Sequence, residues 1–163
     1  MPRMVNYRRV RLLGGTYFFT VTLTDRRSDL LLRHVDALRL AFGAVRRASP
    51  FRIDALVVLP DHLHAVWTLP TNDADYSRRW HDIKSSFTRM LRRHIYVPPP
   101  DRKGQYQIWQ ARFWEHLITD DEDYAQHVDY VHFNPVKHGF VRRPDDWQWS
   151  SIHRYTRAHS CSS

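Results

Sequence analysis

Cysteine is almost missing from these 163 residues: there is one, Cys161, near the C-terminal end. A single thiol cannot close an internal disulfide, and a multi-cysteine zinc finger is excluded. Lysine is nearly as scarce, with Lys84, Lys103 and Lys137 the only three. Long apolar runs are lacking too. The longest aliphatic stretch is Ala55-Leu56-Val57-Val58-Leu59, far short of the ~20 residues that span a bilayer. Met1 to Gly15 is basic, and no long apolar region follows it, so no secretory leader is expected. These shortages predict a soluble, reduced, cytoplasmic protein that makes no membrane contact.

What is present fits a folded chain. Hydrophobic residues make up 42% and aromatics 13%, too many for disorder. The length suits one domain, expected to span 1–163, with no internal repeat and no inter-domain linker. Lys plus Arg number 25 against 17 Asp plus Glu, a formal charge of +8. The sequence pI is near 10.1. With three lysines, 22 of the 25 basic residues are arginine. The guanidinium is a planar fork that takes phosphate oxygens in pairs, so the excess points to a polyanion. A GC-rich genome would raise the arginine share for no functional reason, and charge alone does not separate the two.

Residues 1–15 carry Arg3, Arg8, Arg9 and Arg11 with no acid and close on Gly14-Gly15, which reads as a basic arm. Residues 16–24 are rich in β-branched and aromatic types and predict a strand. Residues 35–48 space Val35, Leu38, Phe42 and Val45 by three and four, a helix that Ser49-Pro50 stops. Phe51 to Leu59 and His62 to Leu69 predict two strands with a short break, hence an antiparallel pair. Residues 76–93 form a second helix, with Trp80, Ile83, Phe87 and Leu91 as its stripe. The segment 97–104 contains three prolines and predicts an exposed loop. Residues 107–118 predict a fourth strand. A last helix, acid-rich in its first turn, runs from about 120 to Asn134, where Pro135 should stop or kink it. The tail, 147–163, packs an aromatic pair and then turns polar. This βαββαβ order predicts an α+β, ferredoxin-like fold: a four-stranded antiparallel sheet with helices on one face, plus an added C-terminal helix.

Two local patterns carry chemistry. His62-Leu63-His64 in a strand places both imidazoles on one face and Leu63 on the other. Two neutral imidazoles make half a metal site; on general grounds such a site suits zinc. Asp61 beside them is either a third ligand or a turn residue. On the last helix, His127, Tyr130 and Asn134 share a face by spacings of three and four. A tyrosine and an amide one turn apart can supply a nucleophile and an oxygen ligand, although Tyr on an amphipathic helix often serves the core and Asn before Pro often ends a turn.

At these positions the chain resembles a known family. Val57-Val58-Leu59-Pro60-Asp61-His62-Leu63-His64-Ala65-Val66-Trp67, then Arg112-Phe113-Trp114-Glu115-His116, then Tyr130-Val131-His132-Phe133-Asn134-Pro135-Val136-Lys137-His138-Gly139 are similar to the REP-associated tyrosine transposases, relatives of single-tyrosine HUH transposases. The likeness runs from about Arg9 to Tyr155, with Gly14 to Val21 matching the family's start. It implies a single-stranded DNA endonuclease and strand transferase that acts on REP-type hairpins with a short flanking guide sequence. By that resemblance His62 and His64 bind a divalent metal, Mg²⁺ or Mn²⁺, Tyr130 is the nucleophile, and Asn134 stands where a third, amide ligand is placed. Tyr124 is the competing tyrosine, outside the motif's position. The resemblance also leans towards a monomer.

The residue types suit that chemistry. A metal held by two imidazoles polarises a non-bridging phosphate oxygen and offsets developing charge. A tyrosine hydroxyl, a weak nucleophile at its free pKa of about 10, is activated by approach to such a centre. Arg3, Arg8, Arg9, Arg11, Arg78, Arg79, Arg89, Arg92 and Arg93 are candidate phosphate contacts. Trp109 and Trp147 could stack unpaired bases or simply serve the core. Two rivals remain: a catalytically silent hairpin binder, and a metal-dependent hydrolase that forms no covalent adduct.

Overall fold

A computed structural model describes residues 10–160. Among the described residues four strands, β1 (Thr16–Thr22), β2 (Arg52–Val58), β3 (His62–Thr68) and β4 (Trp114–Leu117), form one sheet in the order β2-β3-β1-β4. Every pairing is antiparallel. The helices are α1 (Leu30–Arg33), α2 (Val35–Ala48), α3 (Tyr76–Leu91), α4 (Asp121–Lys137) and α5 (Ile152–Ser160), with a 3-10 turn at Pro144–Asp146. This is the expected ferredoxin-like α+β arrangement. No helix of the described residues is long and apolar enough to cross a membrane.

Strand alternation divides the core in two. Tyr17, Phe19 and Val21 of β1 and Leu63, Ala65 and Trp67 of β3 point to one face, where Leu38, Phe42 and Val45 of α2 and Trp80, Ile83 and Phe87 of α3 cover them. Trp67 and Trp80 stack there at 4.1 Å. Phe18, Ala55, Val57 and Val66 point the other way, against Val128 and Val131 of α4 and against Trp147. The added helix therefore closes the second face of the sheet. A bulge between Ile53 and Ala55 lets Asp54 accept bonds from Thr68 and from the Tyr124 hydroxyl of α4, at 2.8 and 2.9 Å.

Arg79 belongs to this framework and not to a DNA surface. It is 3% exposed. Its guanidinium makes five bonds, to both Asp73 carboxylate oxygens and to the carbonyls of Ser49, Pro50 and Asp75. No donor is left for a phosphate, so the expectation that Arg79 is a phosphate contact is corrected.

Other expectations shift as well. Helix α4 continues past Asn134 to Lys137 with Pro135 inside it. Pro135 has no N–H for the Val131 carbonyl, so the helix forgoes that one bond, but the next turn still forms, with His138 N reaching Asn134 O at 3.0 Å. Gly139, at φ +76, then closes the helix: its N–H bonds to Val136 O and the Phe140 N–H to Pro135 O. That double bond pattern needs a left-handed residue, which glycine supplies without strain. The fourth strand is shorter than expected. Residues 108–110 still bond the end of β1 through Thr24 N to Ile108 O and Gln110 N to Thr22 O, both 2.9 Å, and the regular ladder begins only at Trp114. The tail is not merely polar. It lies along the outer edge of β2, where Val58 N bonds Trp149 O and Ser151 N bonds Leu56 O, and it ends in α5. This contact satisfies part of an edge that would otherwise be open.

Replacing Arg79 by Ala strands Asp73 and three carbonyls, and is expected to cost roughly 3 kcal/mol of stability. A lowered thermal midpoint with little change in nucleic-acid affinity is the expected result.

Candidate active site

The β1–β3 register sets Thr20 opposite His64 and Thr22 opposite His62, all on the face that α4 covers. Leu63 points into the other core, fully buried. The imidazole rings of His62 and His64 lie 4.9 Å apart, nearly perpendicular. Each has its Nδ1 engaged. His62 Nδ1 donates to Asp61 Oδ1 at 2.8 Å, and His64 Nδ1 lies 2.8 Å from Thr20 Oγ1. Asp61 only accepts, which fixes the His62 proton on Nδ1 and leaves the Nε2 lone pair for a ligand. The Asp61 carboxylate is itself held by Arg26 at 2.6 Å. Of the two roles considered for Asp61, the turn is the one the structure shows: it lies in the bend between β2 and β3, and from there its carboxylate orients the His62 ring.

Burial keeps both rings neutral. It lowers the pKa of His62, against the pull of Asp61, and takes His64 down to about 3. Neutral imidazole is the form that binds a metal.

Helix α4 delivers three side chains to this pair at intervals of one turn. The Tyr130 ring meets the His64 ring edge-on, with centroids 5.3 Å apart. The His138 ring meets His62 at 5.3 Å. Asn134 stands between them on the same face by its i±4 spacing. It is fully buried, and neither Oδ1 nor Nδ2 has a hydrogen-bond partner in the protein. A buried amide with no partner costs about 1–3 kcal/mol. That orphaned amide, on the helix between the residues that meet the two imidazoles, is the observation that a metal ion would explain. The donor set fits a divalent cation, with His62, His64 and Asn134 as the residues to hold it.

Tyr130 is 38% exposed and so open to a substrate. The Lys137 ammonium sits 4.9 Å from its ring centroid. Tyr124 is tied down instead. Burial and the Asp54 carboxylate that its hydroxyl bonds raise its pKa well above the ordinary value. It is a structural hydroxyl.

His138 is a residue that sequence reasoning missed. Its signal was present in the i, i+4, i+8 series Tyr130, Asn134, His138, but helix continuity through Pro135 was needed to see it. Trp114 was also passed over. It pairs with Thr20 across β1 and β4, on the histidine face, and is 59% exposed. Trp109 and Trp147, the two tryptophans offered as base-stacking candidates, are both 8% exposed. The Trp147 indole N–H donates to Val58 O at 2.9 Å. Both serve the core, which corrects that role for them.

The arginines are spread differently. Arg3, Arg8 and Arg9 lie outside the described residues. Arg11 donates to Ser77 and sits over the Tyr76 ring at 5.5 Å. Arg78, Arg89, Arg92 and Arg93 are exposed on or just after α3, on the far face of the sheet from the histidines. Arg78 pairs with Asp82 at 3.3 Å. Arg89 and Arg92, with Lys84, Tyr106, Trp109 and Phe113, line a groove of about 450 Å³ beside α3.

Comparison with known proteins gives a consistent picture. No protein-family model matches the chain. The REP-associated tyrosine transposase of Escherichia coli strain K12 is 48% identical over 93% of this chain and 84% of its own length. A Haemophilus influenzae protein provisionally given the same name is 43% identical over 95% of this chain and 89% of its own. A solved structure of the REP-associated tyrosine transposase bound to a REP hairpin superposes with a TM-score of 0.82 at 48% identity, over 93% of this chain and 84% of that one. A Deinococcus radiodurans crystal structure, 17% identical, shares the fold at a TM-score of 0.50 over 80% of this chain.

A pH dependence follows from the buried rings. His64 is held down to about 3 and His132, on α4, to about 4, both chiefly by burial. Below about 6.5 the unfolded chain takes up protons that these folded rings refuse. Their contribution is therefore fully present above about pH 6.5 and is lost as pH falls from there, through about 4 for His132 and about 3 for His64. Melting midpoints across that window should fall with pH. In His64→Gln the slope should shrink by about one proton, and an unchanged slope contradicts the assignment.

Proposed function

The chain belongs to the REP-associated tyrosine transposases, and from that membership we propose that it cuts and rejoins single-stranded DNA at REP-type hairpins through a covalent tyrosine intermediate. The single observation that carries the reading is the Tyr130 ring set 5.3 Å from His64, with the unpartnered Asn134 amide one turn further along α4.

In this mechanism Tyr130 gives up its hydroxyl proton and attacks the scissile phosphorus. The bond from phosphorus to the Tyr130 oxygen forms, and the bond to the 3′ oxygen breaks. That oxygen leaves as a 3′-hydroxyl, having taken a proton. The product is a 5′-phosphotyrosine, so the energy of the phosphodiester is kept in the new ester. A second 3′-hydroxyl reverses the step and joins new ends. His62, His64 and Asn134 hold the divalent ion, Mg²⁺ or Mn²⁺, which when bound polarises a non-bridging oxygen and offsets charge on the phosphoryl group. Asp61 and Thr20 orient the two imidazoles. Lys137 places a positive charge beside the phenol as negative charge develops on it.

The hairpin-bound relative supports a REP-type hairpin as the partner. Arg11, Arg78, Arg89, Arg92 and Arg93, with Arg3, Arg8 and Arg9 of the arm, are the proposed phosphate contacts. Because α3 lies behind the sheet, DNA that reaches both the groove and Tyr130 must pass around an edge of the sheet. We read the protein as a cytoplasmic monomer that carries its own tyrosine.

With a labelled hairpin oligonucleotide and Mn²⁺, the wild type is expected to form a covalent protein–DNA adduct that survives denaturing gel electrophoresis. Tyr130→Phe should form none, whereas Tyr124→Phe should retain it. Cleavage without an adduct, or an adduct that survives Tyr130→Phe, rules the mechanism out in favour of hydrolysis or of another nucleophile; binding with neither marks a silent hairpin binder. Binding should also weaken steeply with salt. The double variant Arg89→Ala/Arg92→Ala should reduce the slope of log K against log salt by about 1.4, if both neutralise phosphates of a single strand.

A further inference from the structure

We propose that His116, Asp123 and His127 form a second divalent transition-metal site, separate from the His62–His64 pair, that staples the tyrosine-bearing helix to the edge of the sheet. His116 stands on β4, opposite Phe18 of β1. Asp123 is in the first turn of α4, and His127 is one turn later on the same helix. The chain thus brings a strand and a helix together at three metal-binding side chains.

The donor atoms already stand close. His116 Nε2 lies 2.9 Å from Asp123 Oδ2, and His127 Nδ1 lies 2.9 Å from Asp123 Oδ1. One donor atom from each residue falls within 4.8 Å of the others. Around a tetrahedral zinc ion, neighbouring ligand atoms are ~3.3 Å apart. The two imidazole rings stack at 4.6 Å and 21°, so a small rotation of either brings three donors onto one centre. Asp123 and His127 side chains are 17% and 23% exposed and that of His116 38%, half-buried yet open to solvent on one side. Three protein ligands and a position open to water are what zinc accepts outside closed structural sites. Two imidazoles and one carboxylate favour Zn²⁺ or Co²⁺ over Mg²⁺.

Asp123 shares in the helix cap, its Oδ2 accepting from the Thr119 N–H at 3.0 Å, but capping does not account for the two imidazoles beside it. Asp120, not Asp123, is the N-cap, and it accepts from the Asp123 N–H at 2.8 Å. In the ion-free arrangement His127 Nδ1 donates to the Asp123 carbonyl at 2.8 Å. Ligation through that atom breaks this bond, and the imidazole takes its other tautomer, with the proton on Nε2.

The location gives the site a purpose. The His127 ring packs on Phe18 at 4.9 Å, and Phe18 touches both His64 and Tyr130 at 5.6 Å. An ion here fixes the lean of α4 over the sheet, and with it the approach of Tyr130 to His64. Metal binding at this cluster stands whether or not Tyr130 cleaves DNA.

Titration with Co²⁺ and Zn²⁺, followed by visible absorption, bound-metal analysis and melting temperature, tests it. Wild type should take up two equivalents. His62→Ala/His64→Ala should still take up one equivalent, with a rise in melting temperature on adding Zn²⁺. Adding His127→Gln should weaken that remaining binding by more than about tenfold, since even partners outside the ligand shell are worth 10–100-fold. His116→Gln, on the strand and not the helix, should do the same and serves if the helix variant fails to fold. Loss of all stoichiometric binding in His62→Ala/His64→Ala, or retained binding after both His116→Gln and His127→Gln, overturns the site. A failed adduct assay with intact metal uptake refutes the cleavage mechanism and leaves this site standing.

Discussion

Helix α4 has to cover the half of the sheet that carries His62 and His64, and the rest of the candidate site depends on how it does so. Strand alternation sends Leu63, Ala65 and Trp67 into the α2–α3 core and the two histidines towards α4. Were that face left to water, the rings would stay near their ordinary pKa and lie partly protonated at mild acidity. Under α4 they are desolvated and neutral. The same packing brings in Tyr130, Asn134 and His138 one turn apart. One helix–sheet contact therefore sets the protonation of the two imidazoles, the direction of Tyr130 and the placing of the Asn134 amide. The apolar part of the contact, from Phe18, Val57 and Val66 to Val128 and Val131, supplies the stability. The polar part is carried at its expense.

Much of this was legible in the sequence because it follows from short-range periodicity. The i, i+2 pattern of His62 and His64 needed only a strand, and the helix over 35–48 matched its residue range. The order of elements predicted the sheet. Tyr130 and Asn134 were singled out by their one-turn spacing together with the family motif. What stayed hidden depends on partners distant in sequence. Arg79 looks like its neighbour Arg78, and only the fold shows that Asp73 and the Ser49 and Pro50 carbonyls take it out of solvent. Trp109 and Trp147 look like any other tryptophan until the chain ends are packed. The tail's pairing with β2 spans nearly a hundred residues. Pro135 misled because a proline costs the helix one bond to the turn before it without forbidding the turn after it, which here forms and is closed by Gly139.

Charge is divided by the same sheet. On the α3 face the exposed arginines stand beside a groove with aromatic walls. On the α4 face the polar groups beside the histidine pair include the Asn134 amide, Tyr130, Lys137 and Thr20. A polyanion held by the first face and reacted on the second has to cross a sheet edge. The β2 edge is partly occupied by the tail, through Val58 and Trp149 and through Leu56 and Ser151. At the β4 edge the exposed Trp114 ring lies level with Thr20 and so beside His64. Geometry therefore favours passage on the β4 side, where an indole face is available to an unpaired base.

The unpartnered Asn134 amide is the clearest sign that this packing was not selected for stability alone. Any apolar side chain of its size would remove a desolvation cost of about 1–3 kcal/mol at that position. His62 and His64 add a second cost, paid only under acid conditions, since their neutral forms are the ones that burial favours. Both costs fall on the side of the sheet that α4 covers, whereas the hydroxyl of Tyr124, on the same helix, bonds Asp54. Three buried indoles, of Trp67, Trp80 and Trp109, also leave their N–H without a partner on the other side of the sheet, but Asn134 leaves both a donor and an acceptor unpaired on the histidine side, where a ligand would complete the structure. An ion bound there would supply the amide with the partner that the protein withholds, close to the His64 ring that the half-exposed Tyr130 meets.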